Sequence, residues 1–165
     1  MYQEVKTFWA AFALFVLPTV VFAEKTDINE IRLAGPFSTT KPLMTDSLDS
    51  EGKKINIDDV LIDAFVKTDI WKGKETKAEV VLPATAEPQL YMAGFTMQNT
   101  GFVKGKINVK CESKHKLFVD GNEQGGDFEL LPGRHDISIK LLCKGDNPDT
   151  LRVSVESELS IEFNP

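Results

Sequence analysis

Residues able to do chemistry are few in this chain. It contains two histidines, His115 and His135, and two cysteines, Cys111 and Cys143. Acid–base work near neutral pH turns first to histidine. His135 is followed directly by Asp136, and neighbours on a strand point to opposite faces, so this pair does not form a base with its orienting carboxylate. No Gly-x-Ser-x-Gly occurs, so the serine hydrolase turn is missing. Neither histidine has a second histidine two or four residues on, and the cysteines are far apart in sequence, so no transition-metal ligand set is visible. Gly125-Gly126 lacks the Lys-Ser/Thr that completes a phosphate-cradling loop. Two acidic clusters remain, Asp46, Asp49 and Glu51 ahead of Gly52, and Asp146 and Asp149 around Asn147-Pro148. Neither has the alternating spacing of a calcium loop, and paired-carboxylate glycoside hydrolysis needs a deep, aromatic-lined cleft. Turns in contact with solvent account for both clusters. The chain therefore reads as non-catalytic, with no metal and no cofactor.

Binding residues are equally sparse. Beyond residue 23 there is one tryptophan, Trp71, and one tyrosine, Tyr91. These two are the candidates for stacking on a sugar ring. Cys111 ends an alternation in which Val103, Gly105, Ile107 and Val109 share its phase, and Cys143 shares the phase of Ile137, Ile139 and Leu141. Each cysteine thus points to the apolar face of its strand. If the strands are neighbours, a disulfide would close a loop of about 33 residues and contribute roughly 3–4 kcal/mol on the chain-entropy model. Two buried, unpaired thiols are the alternative, and both readings stand.

The first 23 residues differ from the remainder. Phe8 to Ala23 is almost wholly apolar, is interrupted by Pro18 and ends in Val21-Phe22-Ala23 ahead of Glu24-Lys25. It is short for a membrane span and ends on a small-residue cleavage pattern, so residues 1–23 read as a secretory signal peptide. An uncleaved N-terminal anchor is the alternative. No cysteine follows the run to accept a lipid. Removing 23 of the 165 residues leaves 142, enough for one domain with a proper core. This implies a periplasmic or secreted domain over 24–165, with no stable membrane span after cleavage. Glu4 and Lys6 cancel, so the exported part keeps the formal charge of −6. That charge, with dispersed lysines, argues against nucleic acid as a partner.

The elements that must position these residues are mostly strands. Ile28–Leu33 predicts a strand that Gly35-Pro36 breaks, and residues 38–53 read as loop with one short strand near Pro42–Met44. Ile57, Val60, Leu61 and Phe65 fall at helical spacing behind Asp58 and Asp59, which predicts a short helix near 57–66. From Ala78 on, short alternating runs follow at 78–82, 89–98, 102–112, 116–119, 127–131, 135–143, 151–156 and 159–163, with Gly, Asn, Asp or Pro between most of them. The 89–98 run is apolar on both faces, as a central strand would be. Asp120-Gly121 suits the positive φ of a tight hairpin turn. The expected fold is all-β, a single jelly-roll-like β-sandwich of eight or nine short antiparallel strands.

Gly101-Phe102, Leu117-Phe118-Val119-Asp120-Gly121 and Leu131-Pro132-Gly133-Arg134-His135-Asp136-Ile137 resemble the central part of protective-antigen-type and galactose-binding-like sandwiches. The calcium-dependent lectins of that group carry an Asp-Asp pair shortly before the Val-Asp-Gly strand end. Glu112-Ser113-Lys114-His115 stands here instead, so calcium-dependent sugar binding is not implied. A broader stretch is similar to the N-terminal accessory sandwich of secreted bacterial prolyl-oligopeptidase-type peptidases. It comprises Ile31-Arg32-Leu33-Ala34-Gly35-Pro36-Phe37, Lys41-Pro42 and Ala93-Gly94-Phe95-Thr96-Met97-Gln98-Asn99-Thr100-Gly101. The propeller and hydrolase of those enzymes do not fit in 165 residues, so no peptidase activity is implied. The resemblance implies an exported accessory or interaction module whose partner is a protein or a cell-surface glycan. A carbohydrate-binding module of galactose-binding-like type is the alternative.

Overall fold

The computed structural model describes residues 24–39, 48–63, 76–77 and 79–165. Twelve strands and one helix occur among them. They are β1 (Glu24–Asp27), β2 (Ile31–Ser38), α1 (Ile57–Ile62), β3 (Thr76–Lys77), β4 (Val80–Leu82), β5 (Thr85–Asn99), β6 (Val103–Lys110), β7 (Lys114–Val119), β8 (Asn122–Gln124), β9 (Asp127–Leu130), β10 (Gly133–Gly145), β11 (Asp149–Ser157) and β12 (Glu162–Asn164). One antiparallel sheet runs β1-β11-β6-β9, with β4 also on β11. The other runs β3-β2-β5-β10-β7-β8, with β12 also on β5. The expected all-β sandwich is the fold of this chain.

Alternation along the strands builds the core between the sheets. Val103, Ile107, Leu151, Val153 and Val155 face it from the first sheet, and Phe95, Met97, Leu117, Ile137, Ile139 and Leu141 from the second. Side chains of this kind each contribute about 1.5–3 kcal/mol when fully buried. One glycine is dictated by this packing. A Cβ on Gly105 would lie 2.3 Å from the Glu156 carbonyl oxygen and 2.5 Å from Phe128 Cζ.

From β4 onward the chain crosses between sheets at every connection except β7–β8. Short crossovers therefore gather at the two ends of the sandwich. One end carries the links β5–β6 (100–102), β9–β10 (131–132) and β11–β12 (158–161), together with the β7–β8 turn. The opposite end carries β6–β7 (111–113) and β10–β11 (146–148).

The helix predicted near 57–66 is present over Ile57–Ile62, with Asn56 as N-cap accepting from the Asp58 amide at 3.1 Å. It covers the outer face of the second sheet. Leu61 and Ile62 meet Leu90 and Leu142, with Phe37 alongside. That burial explains why both faces of β5 are apolar. Three aspartates of the helical segment answer lysines of β7 and β10: Asp59 pairs with Lys114, Asp58 with Lys144, and Asp63 with Lys116 at 2.6 Å.

Two expectations are corrected. Gly35-Pro36 does not end its strand. β2 runs through a cis Gly35-Pro36 peptide, and the pairing with β5 skips from Ala34 to Phe37, so the missing proline N–H falls in an irregularity rather than in the ladder. Strands β1, β3 and β8 were not anticipated. They are two to four residues long at sheet edges, and the side chains of β1 and β8 are almost all exposed, so no buried face imposes an alternation on those two. The short strand expected near Pro42–Met44 lies outside the described residues. Gly105→Ala is expected to destabilise the fold by about 1–3 kcal/mol through overpacking, read as a lowered urea midpoint with unchanged slope.

Candidate functional site

The end bearing four turns is the strongest candidate site, and the Asp120 carboxylate organises it. Asp120 (φ 49°) and Gly121 (φ 81°) both adopt positive φ, which is the conformation of a two-residue hairpin turn. Val119 pairs with Asn122 across that turn, as the Asp-Gly dipeptide predicts. Asp120 does more than turn. Its amide donates to the Asp136 carbonyl at 2.9 Å, and its Oδ1 accepts from the Asp136 amide at 2.8 Å. The side chain thereby extends the β7–β10 ladder one step beyond Val119 and Ile137. Its Oδ2 lies 2.7 Å from His135 Nδ1.

The partner of Asp120 is thus His135, fifteen residues away, rather than its neighbour Asp136. The other ring nitrogen, Nε2, lies 2.8 Å from the Leu131 carbonyl. Both partners are acceptors, so the doubly protonated imidazolium satisfies both at once. Burial alone would lower the His135 pKa. The Asp120 hydrogen bond, the Leu131 carbonyl and the charges of Asp120 and Asp136 outweigh it, and the pKa is raised. An Asp–His pair would suit a nucleophile at Nε2, but a backbone carbonyl occupies that position. His135 therefore acts as a brace.

Asn99 completes the bracing. Buried at 3 % exposure, it donates through Nδ2 to the Gly101 carbonyl at 2.7 Å and the Leu131 carbonyl at 2.9 Å. Ser157 Oγ donates to the Leu159 carbonyl at 2.7 Å. These bonds hold three adjoining loops on each of which a large apolar side chain is exposed: Phe102 (48 % exposed), Leu131 (70 %) and Leu159 (50 %). Gly101 and Leu159 are in contact range, since a Cβ on Gly101 would stand 3.9 Å from Leu159 Cδ1. Two open depressions of about 610 and 500 Å³ flank the turn. Charged side chains in them are paired, Lys104 with Glu129 at 2.6 Å and Arg134 with Asp136 at 3.5 Å. The exposed apolar trio was not singled out from sequence. Its signal was an apolar residue on each of three turns, which gains meaning only once the turns are known to adjoin.

The residues singled out from sequence are placed elsewhere. Trp71 and Asp46 lie outside the described residues. Tyr91 is only 5 % exposed, packed in the core beside Gly35, and presents no open ring face to a sugar. Cys111 and Cys143 are free thiols. Their strands are not neighbours: β6 belongs to the first sheet and β10 to the second. Ser113 stands between the sulfurs, its carbonyl accepting from Cys111 Sγ at 3.4 Å and its hydroxyl donating to Cys143 Sγ at 3.9 Å. The β6–β7 turn also brings His115 Nδ1 within 3.3 Å of Cys111 Sγ, a pairing that sequence reasoning missed. Four residues along an extended strand would be far apart, and the turn removes that distance. This pair is not an activated nucleophile. Burial first, then the charges of Asp149 and Cys143, push the Cys111 thiol up to about 12, against the opposing Ser113 hydrogen bond.

In each acidic cluster one aspartate, Asp49 or Asp149, accepts from backbone amides. Asp49 Oδ1 accepts from the Glu51 and Lys53 amides at 2.9 and 2.8 Å, closing its own turn. Asp149 accepts from the amides of Glu112 at 3.1 Å, Ser113 at 2.7 Å and Thr150 at 2.7 Å, tying the two crossovers of the opposite end together. No group of three or more metal-ligating side chains occurs among the described residues. No protein-family model matches this chain, and neither curated proteins nor solved structures match it.

Two outcomes follow from these environments. Because the native His135 pKa is raised, its stabilising contribution is complete below the unfolded value near 6.5 and is lost as pH rises through the native value. The stability gap between the parent and His135→Gln, from urea midpoints, should therefore narrow from pH 6 to pH 9. Native Cys111 should react with a thiol reagent at pH 7 at least tenfold more slowly than in urea, since so little thiolate is present.

Proposed function

We propose that this chain is an exported, non-catalytic accessory module that acts by contact, related to the N-terminal sandwich of a secreted peptidase. The observation that carries the reading is the braced loop cluster presenting Phe102, Leu131 and Leu159 to solvent. Exposed apolar side chains held on pre-ordered loops suit recognition, because little conformational entropy remains to be lost on binding. His135 supports the same reading, since both ring nitrogens already have structural partners. The export reading rests on the apolar run Phe8–Ala23 and the small-residue pattern at Val21-Phe22-Ala23. No helix among the described residues is long and apolar enough to cross a membrane.

Carbohydrate binding is the second reading; with Tyr91 buried, its ring would be Trp71, outside the described residues, or the exposed Phe102. A glycan array distinguishes the two. Binding lost on Trp71→Ala or Phe102→Ala would favour the carbohydrate module, and a blank array the contact module. Expressed in a secreting bacterial host, the protein should be recovered outside the cytoplasm with Glu24 at its N-terminus. It should show no turnover of peptide, ester or glycoside substrates. Turnover abolished by His115→Ala or His135→Ala would overturn the proposal.

A further inference from the structure

We propose that the end of the sandwich carrying Phe102, Leu131 and Leu159 seats against a lipid bilayer, the same bilayer that receives the apolar run Phe8–Ala23. This deepens the contact-module reading by naming the partner, and it rests on that reading for the export of the chain.

The first ground is position. Strand β1 begins at Glu24, directly after the apolar run, and Glu24 pairs with Ser157 at the end of β11. Ser157 is two residues from Leu159 and holds its carbonyl. The chain therefore enters the sandwich at the end where the three apolar side chains are exposed, and not at the opposite end with Cys111 and Asp149. While residues 8–23 are in a bilayer, this end is the one nearest to it.

The second ground is composition. An interfacial contact needs apolar side chains projecting from a backbone that does not carry unsatisfied polar groups into the headgroup region. The Gly101, Leu131 and Leu159 carbonyls all have side-chain donors, from Asn99, His135 and Ser157. Phe102 lies beneath the Lys104 ammonium, which is 5.6 Å from the ring centroid, an arrangement suited to the headgroup level. Lys104 and Arg134 are balanced by Glu129 and Asp136, and Glu158, exposed beside Leu159, adds a further carboxylate near Lys104. With a net charge of −6, the chain gains no general attraction to anionic lipid, so the contact is apolar and a zwitterionic surface suffices.

The test is hydrogen exchange of the full chain with and without phosphatidylcholine vesicles. Exchange of amides in 100–102 and 158–160 and at Leu131 should slow at least tenfold with vesicles, while 144–147 at the opposite end is unchanged. Leu131→Ser removes the most exposed of the three without touching the core, and it should weaken the slowing. The triple variant F102S/L131S/L159S should abolish it while the melting temperature holds. For the product that begins at Glu24, the triple variant should lower partitioning onto the vesicles by about a hundredfold, on the basis of three half-exposed apolar side chains. Slowing spread equally over both ends, no slowing at the tip, or concentration-dependent slowing without vesicles (a second copy on the tip) would each overturn the proposal. The N-terminus found for the exported product tests the export reading separately.

Discussion

The carboxylate of Asp120 is the constraint on which one whole end of this molecule depends. It caps a hairpin turn, completes a ladder step that the backbone of β7 cannot reach, and fixes the ring of His135. The ring in turn reaches the Leu131 carbonyl, which Asn99 shares from the neighbouring strand. Strands β5, β7 and β10 and three of the four turns are thereby linked by a single chain of hydrogen bonds. Such networks are worth more than isolated pairs because each member orients the next. Asp149 does the corresponding work at the opposite end, where it ties the β6–β7 and β10–β11 crossovers.

The division of labour between the ends has a common origin. A sandwich whose chain changes sheet at nearly every connection must place many short links at its two ends. Their backbone groups cannot join a ladder and need other partners. Side chains of Asp, Asn, Ser and His supply them here. The polar residues that look chemically promising in the sequence are, among the described residues, largely absorbed by that task. On the outer surface of the braced loops the chain exposes one phenylalanine and two leucines, with Glu158 beside Leu159.

The outer face of the second sheet follows a related logic. Leu90 and Leu142 need cover, and a helix of six residues provides it with Leu61 and Ile62. So short a helix has little stability of its own. Its aspartates meet the lysines of β7 and β10 around the apolar contact, which sets where it lies more than how tightly it holds.

By itself the sequence determined what depends on neighbours along the chain. Period-two alternation marked the strands from β4 to β11, apart from the short polar β8. Helical spacing with Asp58 and Asp59 marked α1, and Asp120-Gly121 marked the tight turn, because each is a local steric or hydration preference. Tertiary structure decided what depends on residues far apart. The cysteines share an apolar phase, yet alternation says nothing about which sheet a strand joins: Cys143 lies in β10 of the second sheet, and Cys111 just past the end of β6 of the first. Tyr91 reads as a binding residue until the second sheet's neighbours bury it. His135 adjoins Asp136 in sequence, whereas strand geometry turns the ring toward Asp120. The apolar tip exists only because three turns, each unremarkable alone, are brought side by side by strand order, and strand order is written in no single stretch of residues.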